Sequence, residues 1–283
     1  MPQFEYDRWS PALGAEVIGA NLDELSDERV NELYAALIEH QLLVFRNQNL
    51  APRGHADFGR HLGDLGERHH SYVTLKDEPD VVVLDWHPDD VPDANEWHSD
   101  MTYRGSPPFA SILKAIIVPP VGGDTLWASM YSVHDSLDPG FRRDLEALEA
   151  CHDPGNFRTD AYRRGGNRAI AEMMSVAGQA VWPMIARHPV TGRAYLNVSE
   201  SFTRWIIGVG AAESQRTLSY LFDVINRPEH HVRLRWQPGT VAIWDNRATQ
   251  HYAVADYRGH RRVMHRVAVA TDRRLLGAVP VGQ

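Results

Sequence analysis

The segment Trp244–His251 reads WDNRATQH, and RRVMHR follows it at Arg261–Arg266. The short apolar run Val241–Trp244 leads into the first segment and predicts a buried strand that brings a histidine to its end. The run Val263–Ala270 overlaps the second segment and predicts another strand. Ten residues separate His251 from the second arginine of RRVMHR, and a further arginine lies four positions beyond it. Basic side chains placed at buried strands make this region the first candidate for a functional site.

Short apolar runs dominate the rest of the chain and predict a mainly β protein. The further strands are predicted at Leu42–Phe45, Val81–Leu84, Ala110–Val118, Thr125–Ala128, Ala194–Val198 and Val232–Trp236. Amphipathic helices are predicted at Ser26–His40, from Asp138-Pro139 onward, and at Ala212–Asn226. The polar stretches Leu75–Asn95 and Pro154–Met174 are read as irregular candidates for a lid loop. Because strands and helices do not alternate regularly, the pattern favours an α+β architecture, a double-sheet jelly roll (double-stranded β-helix) flanked by helices.

The overall composition restricts the class of protein. A chain of 283 residues with no internal repeat or long linker predicts a single domain, 1–283. A net charge of −8 argues against a general nucleic-acid or anionic-membrane binder. The N-terminus lacks the apolar core of a signal peptide, and the single cysteine, Cys151, cannot form an intrachain disulfide. These features predict a cytoplasmic protein that binds neither nucleic acid nor membranes.

Two ligand-capable side chains lie at positions i and i+2 in Trp97-His98-Ser99-Asp100. On a strand these positions share a face, so an imidazole nitrogen and a carboxylate oxygen can reach one metal ion. His251 offers a second histidine. Two histidines and one carboxylate leave open coordination positions, which is the ligand pattern of non-haem iron(II) oxygenases. The pair H-x-D is common by chance, and a single histidine near a strand end is more often a core or surface residue, so the pattern needs independent support.

An arginine gives that support through the chemistry of a co-substrate. 2-Oxoglutarate chelates iron through its keto oxygen and C1 carboxylate, which leaves its distal carboxylate for the protein to hold. A guanidinium binds a carboxylate through two parallel hydrogen bonds, which a lysine cannot match. Arg262 is the candidate for this role, with Thr125 as a hydroxyl donor beside it. Without the metal pattern, Arg262 would be read as a solvated surface residue.

Five stretches of the chain together resemble the taurine dioxygenase family of iron(II)/2-oxoglutarate-dependent oxygenases. The stretches are WHSDMTY (Trp97–Tyr103), GGDTLW (Gly122–Trp127), HPVTGR (His188–Arg193), WDNRATQHYAVADY (Trp244–Tyr257) and RRVMHR (Arg261–Arg266). Their order and separations match as well, so the resemblance covers nearly the whole chain. Family members are commonly dimers or tetramers, so the resemblance also implies a homo-oligomer.

The resemblance implies three groups of site residues for a reaction that consumes O₂. The residues implied for iron(II) are His98, Asp100 and His251, those for 2-oxoglutarate are Thr125 and Arg262, and those for the substrate are His69, Tyr72, Phe202 and Arg266. Arg266 matches the position that pairs with the sulfonate of taurine. His70 is an alternative to His69, because the match there needs a one-residue shift, and Phe202 could equally be a core residue.

The implied reaction is hydroxylation of a small anionic substrate, with taurine as the first candidate. Taurine would yield sulfite and aminoacetaldehyde, alongside succinate and CO₂ from 2-oxoglutarate. Ala94 stands where the taurine enzymes carry an asparagine, and its neighbour Asn95 would point the other way in an extended chain. The substrate therefore stays open between taurine, another sulfonate, an alkyl sulfate ester and an aryloxyalkanoate. A zinc hydrolase and a non-enzymatic jelly-roll binding module are alternatives, although neither explains Arg262 and Arg266.

Overall fold

The computed structural model describes residues 3–66, 72–90, 96–155 and 157–276. The strands in these residues are β1 (Glu5–Arg8), β2 (Ala15–Ile18), β3 (Leu42–Phe45), β4 (Val73–Thr74), β5 (Val82–Trp86), β6 (Ala110–Ile117), β7 (Thr125–Ser129), β8 (Glu149–His152), β9 (Ala180–Pro183), β10 (Ile185–Arg187), β11 (Ala194–Leu196), β12 (Thr203–Ile206), β13 (His231–Leu234), β14 (Val241–Asp245), β15 (Thr249–Ala253) and β16 (Arg262–Val269). The α-helices are α1 (Asp27–His40), α2 (Pro52–Leu62), α3 (Met130–Ser136), α4 (Pro139–Glu146), α5 (Phe157–Ala177), α6 (Ala211–Ile225) and α7 (Arg273–Leu276). The three helices and eight strands predicted from the sequence are confirmed, with ends shifted by one or two residues.

Eight strands form one large sheet in the order β1-β2-β3-β14-β6-β16-β5-β4. Neighbouring strands are antiparallel except β2 and β3, which run parallel. Side chains alternate across the sheet because the strand period is two. In β14, Val241 and Ile243 belong to the apolar core under the helices, whereas Ala242 and Trp244 belong to the core on the opposite face. The large sheet therefore separates two apolar cores.

Helices α1 and α2 cover the outer face of the large sheet. Ser26 caps α1 by accepting a hydrogen bond from Arg29 N, which satisfies one of the unpaired N–H groups of the first turn. Leu37 of α1 is buried in the same core as Phe58 of α2 and Phe45 of β3. The last two rings meet edge-on with centroids 6.2 Å apart. This packing fixes the large sheet as a rigid support for the other face.

A second sheet, in the order β13-β7-β15, lies against the inner face of the large sheet. The core between the sheets is rich in tryptophan: Trp127 of β7 packs 5.5 Å from Trp244 and 6.2 Å from Trp236, measured between ring centroids. Helices α3 and α6 cover the outer face of the second sheet. Two facing sheets with helices outside them confirm the mainly β, α+β class with a double-stranded β-helix (jelly-roll) core.

The prediction of an irregular segment at Pro154–Met174 is wrong. The structure has the helix α5 there, interrupted at Gly165 and Gly166, which adopt non-helical backbone angles. Two adjacent glycines weaken a helical pattern because glycine loses most conformational freedom in a helix. In the other predicted irregular stretch, Leu75–Asn95, β5 crosses the part that the structure describes. No helix in the described ranges has both the length and the apolar content needed to cross a bilayer.

Candidate active site

Two histidines that are far apart in the sequence are joined through their backbones. His98 N donates to the carbonyl of His251 at 3.1 Å, and His251 N donates to the carbonyl of His98 at 2.8 Å. Their imidazole centroids lie 4.1 Å apart. A shared face for His98 and Asp100 would need a strand through both residues, but His98 forms only this bridge and Asp100 begins a turn. Likewise, His251 lies within β15, after the turn that follows β14, and not at the end of β14.

Asp100 is tied to the end of the large sheet by a side-chain amide. Asp100 N donates to Asn246 Oδ1 at 2.7 Å, and Asn246 Nδ2 donates to the carbonyls of Asp100 at 3.1 Å and Pro108 at 3.0 Å. Asn246 directly follows β14, so the turn that carries Asp100 is held against a central strand. The amide thereby brings the carboxylate to the two histidines.

The three side chains offer one donor atom each within 4.8 Å of one another. His251 Nε2 lies 3.8 Å from Asp100 Oδ1. His98 Nδ1 lies 2.9 Å from the carbonyl oxygen of Glu96, so Nδ1 carries the proton and Nε2 is left as the lone-pair donor. Two imidazole nitrogens and one carboxylate oxygen match the donor set of a non-haem iron(II) centre.

The electrostatic environment favours the protonation states that a metal ion needs. Burial raises the pKa of Asp100, but the Arg266 guanidinium outweighs it and holds this pKa well below its usual range. Burial, reinforced by His98, holds the pKa of His251 well below the ordinary value of an imidazole. The group therefore consists of an ionised carboxylate and a neutral His251, both ready to act as ligands.

Arg262 lies in β16 with only 3% of its surface exposed. Its Nε donates to the carbonyl of Gly123 at 3.2 Å. The guanidinium carbon lies 5.6 Å from the ring centre of Trp86 and 5.8 Å from that of Tyr257, which is within the range of a cation–π contact. A buried guanidinium held in this way is preorganised for an anion.

Thr125 lies at the start of β7 and is also buried. Trp236 Nε1 donates to Thr125 Oγ1 at 2.9 Å. Because the hydroxyl oxygen accepts this bond, the hydroxyl hydrogen is turned away from the indole and can be donated to another acceptor. Thr125 and Arg262 line the same cavity.

Arg266 faces the metal-ligand group from β16. Its Nη2 lies 2.7 Å from Asp100 Oδ2 and 3.3 Å from Ser111 Oγ. Its Nε is buried and has no hydrogen-bond partner within the described parts of the chain. An unpaired buried donor on a cation is costly, and an anion can satisfy it.

A single cavity collects most of the residues that the sequence predicted. It is lined by Tyr72, Leu84, Trp86, His98, Asp100, Leu113, Thr125, Trp244, His251, Ala253, Val254, Tyr257, Arg262 and Arg266. Phe202 is buried beside it, with its ring edge-on to His98 at 5.9 Å between centroids. His69 and the alternative His70 lie outside the described residues, as do Ala94 and Asn95.

Three residues that position the site were missed by the sequence analysis. Asn246 anchors the turn of Asp100, Ser111 donates to Asp100 Oδ2 at 2.7 Å, and Trp236 orients Thr125. Asn246 stands inside the WDNR segment, so its position there was an available signal. Ser111 and Trp236 carry no comparable signal, because a serine inside an apolar strand and a core tryptophan have no distinctive spacing.

A sequence model described as "Taurine catabolism dioxygenase TauD, TfdA family" matches residues 5–268. The chain belongs to the TauD/TfdA family. It is 32% identical over 285 residues to an alkylsulfatase of Acinetobacter baylyi, covering 95% of this chain and 86% of the relative. It is 33% identical over 276 residues to an alpha-ketoglutarate-dependent sulfate ester dioxygenase of Pseudomonas putida, and the match covers 95% of this chain and 88% of the relative. The crystal structure of a taurine dioxygenase from Burkholderia xenovorans matches with a TM-score of 0.80 at 29% identity, covering 96% of this chain and 90% of that one.

Membership in the TauD/TfdA family confirms the predicted reaction class, a 2-oxoglutarate-dependent dioxygenase. It decides against the zinc hydrolase and the non-enzymatic binding module. Three relatives of this TauD/TfdA chain are named as dioxygenases of a sulfate ester, a sulfonate and (S)-phenoxypropionate. Dependence on 2-oxoglutarate and O₂ follows from the family, and iron is implied by it.

Proposed function

We propose that this TauD/TfdA member hydroxylates a small organic sulfonate or sulfate ester, with iron(II) held by His98, Asp100 and His251. The observation that carries the proposal is the convergence of the three donor atoms within 4.8 Å in a cavity that also contains two arginines. Bound there, iron(II) would supply the activation of O₂ that no side chain of the cavity can provide. The protein would supply binding, orientation and charge.

Arg262 and Thr125 would hold the distal carboxylate of 2-oxoglutarate. The Arg262 guanidinium is held by its hydrogen bond to the carbonyl of Gly123. The Thr125 hydroxyl oxygen accepts from Trp236, so its hydrogen is available to the carboxylate. Charge-assisted hydrogen bonds of this kind contribute roughly 1.5–3 kcal/mol each. With the far end fixed, the keto acid end would be directed toward the three ligands that line the same cavity.

Arg266 would hold the sulfur-bearing anion of the substrate. Its buried Nε has no partner within the described ranges, and the bond from Nη2 to Asp100 fixes the direction in which the guanidinium points. Apolar side chains such as Leu113 and Val254 line the same cavity and suit a short carbon skeleton. An anion bound at Arg266 would place the adjacent carbon beside the metal ligands. Tyr72 also lines the cavity, and its contact with substrate, like those of His69 and Phe202, stays a prediction.

Two substrates compete within this proposal. Taurine is the first, since Arg266 occupies the position that the family resemblance assigns to its sulfonate, and its hydroxylation would release sulfite and aminoacetaldehyde. The second is an alkyl sulfate ester. Ala94 offers no amide for an amine group, and two relatives at 32% and 33% identity are an alkylsulfatase and a sulfate ester dioxygenase.

A substrate panel separates the two candidates. The enzyme is supplied with iron(II), 2-oxoglutarate and O₂, and succinate is measured with taurine, a longer alkanesulfonate, an alkyl sulfate, an aryloxypropionate or no addition. We expect a sulfonate or a sulfate ester to stimulate succinate formation, with sulfite or sulfate released in equal amount. Stimulation by the aryloxypropionate alone, or by none of the anions, would contradict the proposal.

A further inference from the structure

Ser111 connects a predicted metal ligand to a predicted substrate-binding residue. The side chain is fully buried in β6. Its Oγ donates to Asp100 Oδ2 at 2.7 Å and accepts from Arg266 Nη2 at 3.3 Å. Arg266 Nη2 also reaches Asp100 Oδ2 directly, at 2.7 Å. The three polar groups form a closed triangle.

The hydroxyl is carried by a central strand of the large sheet. Ser111 is paired with Trp244 of β14 on one side and with Ala268 of β16 on the other, so its strand is central in the large sheet. Asp100, in contrast, is carried by a turn. A hydrogen bond from a central strand to a carboxylate on a turn fixes the carboxylate relative to the sheet.

The triangle also decides which carboxylate oxygen faces the histidines. Oδ2 of Asp100 is engaged by Ser111 and Arg266, whereas Oδ1 lies 3.8 Å from His251 Nε2. Loss of the hydroxyl would leave the carboxylate oriented by Arg266 alone. Arg266, which is also proposed to hold the substrate anion, would then be the one described side chain left to orient Oδ2.

We infer that Ser111 is a positioning residue that fixes Asp100 and Arg266 relative to each other, and so links metal binding to binding of the anionic substrate. The inference rests on the proposed function. Partners that hydrogen-bond to metal ligands typically contribute about 10-fold to 100-fold to metal affinity or activity. The hydroxyl of Ser111 is such a partner, and it contacts the anion-binding guanidinium as well.

The test compares Ser111→Ala with Ser111→Thr. Metal affinity is measured anaerobically by titrating the protein with cobalt(II) and following its visible absorption, and substrate half-saturation is measured by succinate formation. We expect Ser111→Ala to weaken metal affinity about 10-fold and to raise the half-saturating substrate concentration by a similar factor. Ser111→Thr keeps the hydroxyl on a strand that tolerates β-branching, so it should restore both values to within about threefold.

Ser214→Ala is the matched control. Ser214 is also buried, and its Oγ accepts a hydrogen bond from Ile206 N at 2.9 Å, at the start of α6. This variant loses one buried serine hydroxyl outside the cavity and should change neither value. Circular dichroism of each variant checks folding. Should Ser111→Ala fail to fold, Ser111→Cys replaces the hydroxyl by a thiol of similar size that donates a weaker hydrogen bond. We then expect a loss of metal affinity and a rise in the half-saturating substrate concentration, each by less than about 10-fold.

Two outcomes would overturn the inference while leaving the proposed function intact. One is a folded Ser111→Ala protein whose metal affinity and half-saturation stay within twofold of wild type. The other is a Ser111→Thr protein as impaired as Ser111→Ala, because the hydroxyl would then not be the group that matters. A wild-type protein that binds neither metal nor 2-oxoglutarate would overturn the proposed function itself.

Discussion

Trp236 donates its indole N–H to the Thr125 hydroxyl across 2.9 Å, inside the core between the two sheets. The bond joins β7 to the segment just after β13, two neighbouring parts of the second sheet. Because the hydroxyl oxygen accepts this bond, its own hydrogen points away from the indole. A residue of the tryptophan core thereby sets the orientation of a proposed 2-oxoglutarate contact.

We expect Trp236→Phe to weaken 2-oxoglutarate binding while the protein stays folded. A neutral hydrogen bond is worth about 0.5–1.5 kcal/mol, so the half-saturating concentration should rise about twofold to twelvefold. It is measured by anaerobic titration of the iron(II)-loaded protein with 2-oxoglutarate. Trp205→Phe, at an exposed position in β12, serves as the control and should leave binding unchanged. Equal binding by both variants would show that the orientation of Thr125 is irrelevant.

Arg262 and its neighbour Arg261 give a test variant and a matched control for the proposed 2-oxoglutarate site. Arg262 is buried beside Gly123, whereas Arg261 is largely exposed and pairs with Asp85 at 2.7 Å. Arg262→Lys should raise the half-saturating 2-oxoglutarate concentration about 10-fold to 100-fold, because lysine cannot form two parallel bonds to a carboxylate. For Arg261→Lys the half-saturating 2-oxoglutarate concentration should stay within about twofold of the wild-type value. Both variants are measured by the same anaerobic titration with 2-oxoglutarate. A similar effect of the two substitutions would show that Arg262 does not bind 2-oxoglutarate.

Asp245 is the centre of a buried ionic network behind the site. Its carboxylate accepts from Arg247 Nη2 at 2.6 Å and from His188 Nε2 at 2.9 Å, and Arg247 also reaches Asp272 at 2.8 Å. Burial raises the pKa of Asp245, but Arg247 and His188 outweigh it and lower this pKa to about 2. Because the folded pKa lies below the unfolded one, the contribution to stability is present above about pH 4 and is lost as the pH falls toward 2.

We expect Asp245→Asn to lower the free energy of unfolding by about 3 kcal/mol at pH 7, since it leaves buried Arg247 partly unpaired. At pH 3 the difference from wild type should shrink by about 1 kcal/mol, because Asp245 is already largely protonated in the unfolded wild-type chain, whereas the folded carboxylate, with its pKa of about 2, still binds few protons. Urea unfolding at the two pH values measures both quantities. Asp85→Asn, which breaks a more exposed pair, should cost less than about 1 kcal/mol. A difference that grows on acidification would contradict the assigned direction of the pKa shift.

The fold and the reaction class could be predicted from the sequence because they depend on patterns with strong chemical constraints. His98 and Asp100 form an H-x-D pair, and the segment that ends at His251, followed by RRVMHR with Arg262, matches the motifs of the family. The jelly-roll class followed from many short apolar runs. The structure confirms that class and brings these residues to one cavity. The single-domain organisation, the homo-oligomeric state and the cytoplasmic location stay predictions.

What the sequence could not show depends on register and on the paths of turns. Ser111 reaches Asp100 only because β6 is paired with β14 and β16 in one particular register. His98 meets His251 through a backbone bridge across more than half the chain, and no local pattern encodes such a bridge. The helix α2 was missed because its sequence is short, polar and rich in histidine, and its apolar residues find their partners only against the large sheet.

The most direct test of the central claim is an anaerobic titration of the protein with iron(II) and then with 2-oxoglutarate. We expect a visible charge-transfer band that saturates at one iron and one 2-oxoglutarate per chain. His251→Ala should abolish the band, and His260→Ala, at an exposed position outside the cavity, should retain it. A wild-type protein without the band, or a His251→Ala protein with an undiminished one, would contradict the account.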